Sequence, residues 1–165
     1  MREVEAKVLA IDVADCVARL QKLGFVKSFD DDITTIYFKT GVVDGKTLRL
    51  RTIDNMTYMT VKRTVKGTTT KDAQEFEFVV SDKEVARQAL LALGFVEGKT
   101  QTKHRVSFAL GEVHCEFDTM PGIPTFLEIE AHDPATIETV AKQLGISFER
   151  LLNWTGGDVL KHYQR

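Results

Sequence analysis

Only two cysteines occur in the 165 residues, Cys16 and Cys115, and they lack the C-x-x-C spacing of a redox or zinc motif. Two are too few for a disulfide framework, and both fall in apolar periodic patterns that predict buried thiols. No apolar run approaches the ~20 residues needed to span a bilayer, and no apolar segment of signal-peptide type opens the sequence. The formal net charge is only −2, from 22 basic and 24 acidic residues. The basic excess of a general nucleic-acid binder is therefore missing. A Gly-rich phosphate loop is missing too, and no serine or threonine stands in a catalytic-triad context. His104, His114, His132 and His162 share no metal-ligand spacing and read as surface or structural side chains. What these exclusions leave is a cytoplasmic domain, one unit over residues 1–165, long enough to bury a core without staples.

What the sequence does have is charge in a pattern. Glu3, Glu5 and Lys7 alternate with Val4, Ala6 and Val8. In a β-strand, residues two apart share a face, so this segment puts its apolar side chains on one face and its charges on the other. The same spacing recurs at Arg49/Arg51, Glu75/Glu77, Lys103/Arg105 and Glu128/Glu130.

Strands are expected over residues 2–11, near 33–40, 46–54 and 56–64, over 73–80, near 101–110 and 112–120, and over 125–132. Asp54-Asn55 reads as a hairpin turn and 66–72 as a polar loop. Three helices are expected: one capped by Asp12 and ended by Gly24, one capped by Ser81 and ended by Gly94, and one from Asp133-Pro134 to Leu144-Gly145. The tail, 147–163, reads as short helical pieces around Trp154 and a break at Gly156-Gly157. Leu23-Gly24-Phe25 and Leu93-Gly94-Phe95 follow similar Glu-x-Glu strands, a weak internal repeat. About eight antiparallel strands with helices outside predict an α+β fold, a closed or nearly closed β-barrel.

If the charged faces point inward, the barrel becomes a polar tunnel. Arg49, Arg51, Lys62, Lys103 and Arg105 offer cations from three strands, and arginine's planar fork suits phosphate oxygens. Glu3, Glu5, Asp118, Glu128 and Glu130 offer hard oxygen ligands, the usual environment, with substrate phosphates, of Mg²⁺ or Mn²⁺. Cations for a polyphosphate beside acids for its metal are the requirements of phosphoryl or nucleotidyl transfer. Two other readings stand beside this one: a non-catalytic polyphosphate- or nucleotide-binding module, and charged faces that merely meet solvent. Trp154 reads as a pin between tail and barrel, with 147–165 as a candidate lid.

Residues 3 to about 131 resemble the CYTH superfamily, or triphosphate tunnel metalloenzymes. Glu3-Val4-Glu5-Ala6-Lys7 is similar to its Glu-x-Glu-x-Lys signature, and Ile36-Tyr37-Phe38 and Leu48-Arg49-Leu50-Arg51 to its next strands. Thr60-Val61-Lys62, Lys103-His104-Arg105, Asp118-Thr119-Met120-Pro121-Gly122 and Phe126-Leu127-Glu128-Ile129-Glu130 follow in the family's order. Length and motif spacing resemble most the class IV adenylyl cyclase-like branch. The resemblance implies a tunnel that binds a triphosphate with Mg²⁺ or Mn²⁺. Glu3, Glu5, Asp118, Glu128 and Glu130 would then lie on the metal side, and Lys7, Arg49, Arg51, Lys62, Lys103 and Arg105 on the phosphate chain. Glu5, Lys7, Lys62 and Glu130 would be catalytic.

The implied reaction is cyclisation of ATP to cyclic AMP and pyrophosphate. The alternative is hydrolysis of tripolyphosphate, thiamine triphosphate or a nucleoside triphosphate. The implied partner is a small triphosphate, with no nucleic acid and no membrane, and a homodimer is compatible with the sequence. Lys39, Ala73 and Trp154-Thr155-Gly156-Gly157 depart from the family's usual residues, the last two of them at the tunnel mouth and lid.

Overall fold

The computed structural model describes residues 2–39, 46–66 and 71–164. Eight strands are formed: β1 (Arg2–Val8), β2 (Val26–Lys39), β3 (Lys46–Ile53), β4 (Met56–Lys66), β5 (Lys71–Val80), β6 (Val96–Leu110), β7 (Val113–Thr119) and β8 (Phe126–Ala131). The helices are α1 (Val13–Lys22), α2 (Lys83–Ala92), α3 (Pro134–Gln143) and α4 (Gly156–Tyr163), with a single 3₁₀ turn at Phe148–Arg150. Among the described residues no helix is long and apolar enough to cross a membrane.

All strand pairs are antiparallel and run in the ring order β1-β5-β4-β3-β2-β6-β7-β8, closed by β1 on β8. The seam is short: β1 and β5 pair only along Arg2–Glu5. Beyond it, the backbone of Lys7 exchanges two hydrogen bonds of 2.9 Å with Leu152 of the tail. Arg150 adds a second tie, donating to the carbonyls of Leu9 and Ala10. The tail therefore straps the barrel where the sheet is thinnest.

The ring has a hidden regularity. Exchanging β1 with β5, β2 with β6, β3 with β7 and β4 with β8 leaves the strand order unchanged. The repeat around Leu-Gly-Phe is the local sign of this. Phe25 N–H reaches the Leu20 carbonyl past Gly24, and Phe95 N–H reaches Leu90 past Gly94, with φ of +89° and +88° at the glycines. That left-handed conformation at a helix end is one that glycine adopts without steric cost.

Packing follows the alternation. Val4, Ala6 and Val8 of β1, Leu127 and Ile129 of β8 and Phe108 of β6 point outward under α1 and α3, which contribute Cys16, Leu20, Ile137, Val140 and Ala141. A second cluster under α2 joins Ile36, Phe38, Leu48, Leu50 and Leu90. Full burial of Leu20 alone contributes about 2 kcal/mol. Trp154 packs with Met120, Ile123, Phe126 and Val159, and so pins the tail as expected.

Several boundaries differ from the sequence reading. β2 begins at Val26, not near 33, and β6 at Val96, not near 101. The run Asp30-Asp31-Asp32, outside any expected strand, is paired along β6, where His104 lies between Asp30 and Asp32 and Lys27 pairs with Asp30. Helix α2 is capped by Asp82, whose carboxylate accepts from Glu84 and Val85, rather than by Ser81. Gly156-Gly157 is no break but the first turn of α4, capped by Thr155. The Asp54-Asn55 turn has φ of +43° and +64°, matching a tight hairpin. The loop expected over 66–72 is shorter, since β4 runs to Lys66 and β5 starts at Lys71; residues 67–70 lie outside the described residues.

Candidate active site

The barrel encloses a cavity of about 730 Å³. Because strand side chains alternate, the same parity that buries Val4 and Ala6 outside turns Glu5 and Lys7 inward. Of the 23 described residues that line it, 14 are charged, seven of each sign. Every predicted site residue whose side chain is described lines it: Glu5, Lys7, Arg49, Arg51, Lys62, Lys103, Arg105, Asp118, Glu128 and Glu130. The side chain of Glu3 lies outside what is described; its backbone pairs with Ala73.

These charges form one alternating chain. Arg49 meets Glu75 at 3.3 Å, Glu75 meets Lys62 at 3.2 Å, and Lys62 meets Glu5 at 3.1 Å. Glu5 meets Lys7 at 3.2 Å, Lys7 meets Glu128 at 2.7 Å, and Glu128 lies 3.8 Å from Arg105. Arg105 grips Asp118 through two hydrogen bonds, of 2.6 and 2.7 Å, and Lys103 reaches the same carboxylate at 2.7 Å. A separate arm joins Arg51 to both oxygens of Glu77, which also accepts from the buried Thr60 hydroxyl at 2.7 Å. Ion pairs of this kind offset the several kcal/mol that each buried charge costs in desolvation.

The electrostatics follow from the neighbours. Burial works against the charged form of Lys7, but Glu128 and Glu5 outweigh it and hold the ammonium above its usual range. Burial would raise Glu128, yet Lys7 and Arg105 hold it well below the usual carboxylate range. Glu75 is likewise pulled down against burial by Lys62 and Arg49. Lys103 goes the other way: burial, then the adjacent Arg105, lowers it despite Asp118. Glu116 is raised, since burial and the nearby Glu128 and Asp118 carboxylates outweigh the pull of Arg105.

Four charged residues of the lining were not assigned by the motif reading, Lys99 among them. Glu75 and Glu77 have the telling spacing and prove to be the partners of Lys62, Arg49 and Arg51. Glu116 stands two residues before Asp118, and that spacing was the signal available to find it. It lies opposite Glu128 across the β7–β8 ladder and contacts the Arg105 guanidinium. Carboxylate oxygens of Glu116, Glu128 and Glu130 lie within 4.8 Å of one another. Such a set of hard oxygen donors fits Mg²⁺ or Mn²⁺. His114, read from sequence as a surface or structural side chain, lines the tunnel, while Cys115 beside it is fully buried in the outer core with its thiol pushed up to about 12. From the tail, Thr155, Gly156 and Gly157 complete the mouth near Met120 and Lys99.

Comparison with known proteins agrees with this architecture. The family model of the CYTH domain matches residues 1–155, and the chain belongs to that family. Proteins of this family typically act on triphosphates with the help of divalent metal ions. The fold is similar to that of a protein from Pyrococcus horikoshii OT3, 26% identical, with a TM-score of 0.82 over 95% of this chain and 98% of that one. It is also similar to a candidate adenylate cyclase from Vibrio parahaemolyticus, 19% identical, with a TM-score of 0.77 over 96% and 97% of the two chains. A third likeness is to a protein from Hippeastrum described as a candidate adenylyl cyclase with a dominant triphosphatase activity. It is 18% identical, with a TM-score of 0.64 over 97% and 95% of the chains. Sequence comparison with curated proteins gives no significant match.

Proposed function

We propose that this protein is a divalent-metal-dependent enzyme that acts on a triphosphate held inside the tunnel. The observation that carries the reading is the balance, among the described residues lining one cavity, of seven cationic and seven acidic side chains. A tunnel for a bare anion would carry a cationic excess. A balanced one suits a polyanion that arrives with its own cations, the acids turning to the metal and the lysines and arginines to the phosphates.

In this reading Lys7, Arg49, Arg51, Lys62, Lys103 and Arg105 bind the phosphate chain, and acids on β1, β7 and β8 hold the metal. Bound there, Mg²⁺ or Mn²⁺ supplies charge neutralisation at the phosphoryl oxygens. The chain's own residues orient the substrate: Lys62 and Lys7 converge on Glu5, and Lys103 and Arg105 on Asp118, so the four cations are held by fixed acids. Such preorganisation lowers the cost of meeting the charge of a phosphoryl transition state.

Motif order and length favour the class IV adenylyl cyclase-like reaction. There the ATP 3′-hydroxyl oxygen bonds to the α-phosphorus as the bond to pyrophosphate breaks and the hydroxyl proton is lost. Hydrolysis is the second reading, with water attacking a phosphorus and orthophosphate leaving. It is favoured by the lining itself, in which charged groups dominate and Tyr37 is already engaged by Lys99 at 5.4 Å from its ring centre. The activity named for the Hippeastrum protein points the same way.

³¹P NMR with Mg²⁺ or Mn²⁺, using ATP and tripolyphosphate in parallel, separates these reactions. Pyrophosphate with a cyclic phosphodiester signal means cyclisation; orthophosphate means hydrolysis. Either should vanish on adding EDTA. Silence with both substrates, together with triphosphate binding, would make the protein a binding module instead.

A further inference from the structure

We propose that the outer face of β4 and β5, together with α2, is the surface through which two copies of this chain pair. The exchange that maps one half of the ring onto the other also maps α1 onto α2, and the outer face of β8 and β1 onto that of β4 and β5. In the first half, α3 follows β8 and helps to cover Ala6, Val8, Leu127 and Ile129, all fully buried. Among the described residues, the second half has no such cover. β4 ends at Lys66 and β5 begins at Lys71, so the ten residues of an α3 have no place between them.

The residues of the two faces differ accordingly. Aligned without a gap on the helix caps Asp12 and Asp82 and on Gly24 and Gly94, Ala6 falls on Phe76 and Val8 on Phe78. The alanine and valine are 0% exposed, the two phenylalanines 56% and 54%. On the helices the same alignment sets Asp15 on Val85, Arg19 on Ala89 and Lys22 on Ala92. Arg19 faces the end of α3, where a Cβ added to Gly145 would lie 3.2 Å from its guanidinium. The matching face of α2 therefore looks toward the uncovered sheet. There Val85, Ala89, Ala92 and Leu93 are all exposed, the first and last at 66% and 75%. Sheet and helix make an apolar groove of the kind that α3 fills in the other half.

A helix with an apolar stripe is what this groove takes, and the chain offers one. α1, α3 and α4 turn Cys16 and Leu20, Ile137 and Val140, and Val159 into their own chain, whereas the stripe of α2 is open. The α2 of a second copy, laid against Phe76 and Phe78, fills one groove, and its own groove receives the α2 of the first. That is the isologous contact of a two-fold dimer. Charge permits it: Arg87 donates to both Glu84 and Glu97, so these charges of α2 are answered within each copy and two identical faces do not repel. Phe76, Phe78, Val85 and Leu93, each more than half exposed, together present roughly 400 Å² of apolar surface. That is about half of the ~800 Å² that each partner buries in a standard interface, the share of an apolar centre inside a polar rim.

Sedimentation equilibrium of the full chain tests this, with wild type, Phe76→Lys, Val85→Glu and, as control, Val26→Lys at an exposed valine that opens β2. Wild type should be a dimer with a dissociation constant below ~10 µM. Phe76→Lys and Val85→Glu should each weaken it by at least ~10-fold, and Val26→Lys should stay within ~3-fold. All three positions are exposed in the single copy, and circular dichroism melts confirm that the variants fold. Mixed in equal amounts, the Phe76→Lys and Val85→Glu variants should recover a dimer. One contact then joins the introduced lysine to the introduced glutamate, and the other keeps its native residues. A wild type that stays monomeric at ~100 µM overturns the proposal and gives the groove to a helix of another protein. A dimer unmoved by either substitution, or weakened as much by Val26→Lys, places the contact elsewhere and overturns it too. Failure of the mixture to pair overturns the crossed contact of α2 with the partner's sheet.

Discussion

The Lys62 ammonium on β4 lies 3.1 Å from Glu5 on β1, a strand that is not its neighbour in the ring, and 3.2 Å from Glu75 on the strand between. One cation therefore bridges three strands across the short seam. In Lys62→Ala, two acids with side chains about nine-tenths buried lose a partner together. Breaking such a pair from one side costs roughly 3 kcal/mol, so the chemical-denaturation midpoint should fall accordingly. If triphosphate turnover survives in the folded variant, Lys62 does not belong to the phosphate site.

Acid should weaken the protein, and the groups responsible can be named. Glu128 and Glu75 are held below the usual carboxylate range, so the unfolded chain takes up protons before the folded one does. Their contribution is intact above the ordinary carboxylate range and is lost as pH falls through the lowered values. Glu116, being raised, opposes this: its ionised form weakens the fold at neutral pH and its protonation relieves the strain. Glu128→Gln should flatten the acid limb of a stability–pH curve, whereas Glu116→Gln should leave that limb in place. An unaltered acid limb in Glu128→Gln would contradict the account.

Thr60 is fully buried and donates to Glu77, whose two oxygens also hold Arg51. Thr60→Val keeps the shape and removes the donor. A hydrogen bond to a charged group contributes about 1.5–3 kcal/mol, and a loss of that order in stability is expected. Arg51 would then be less firmly aimed, so KM for the triphosphate should rise several-fold while kcat changes little. A drop in kcat at constant KM would mean that Thr60 acts on the reacting atoms rather than on binding.

Ile137 of α3 is fully buried against β1 and β8, the strands that carry Glu5, Lys7, Glu128 and Glu130. Ile137→Ala should cost roughly 3 kcal/mol through the cavity it leaves. Thermal unfolding measures that cost directly. A near-neutral result would show that α3 can settle into the gap.

Most of this was legible because strand parity is strict. Once Glu5 and Lys7 alternate with Val4, Ala6 and Val8, one face must be core and the other charged, and each later pair repeats the statement. The helix ends at Gly24, Gly94 and Gly145 were legible for a similar local reason. What the sequence hid are relations set by register. Nothing local to His-Cys-Glu-Phe-Asp says that Glu116 will face Glu128 while Asp118 is consumed by Arg105. His114 shares the parity of Glu116 and Asp118 on β7, which turns it inward, but a lone histidine gives no sign of what it meets there. The start of β2 at the triple aspartate was not legible because its charges are answered from β6, a strand far along the chain.

β1 is made before both strands that flank it, and it cannot be fully paired until Phe126–Ala131 and the tail around Leu152 exist. Its first partner, β5, offers pairing along Arg2–Glu5 alone, and the longer ladder with β8 must wait for Phe126–Ala131. Contacts this distant in sequence slow folding, toward the ~millisecond-to-second range of β-rich domains. The earliest described strand thus shares its longest ladder with the last, and of the two residues it carries into the tunnel, Lys7 meets Glu128 only once β8 is in place.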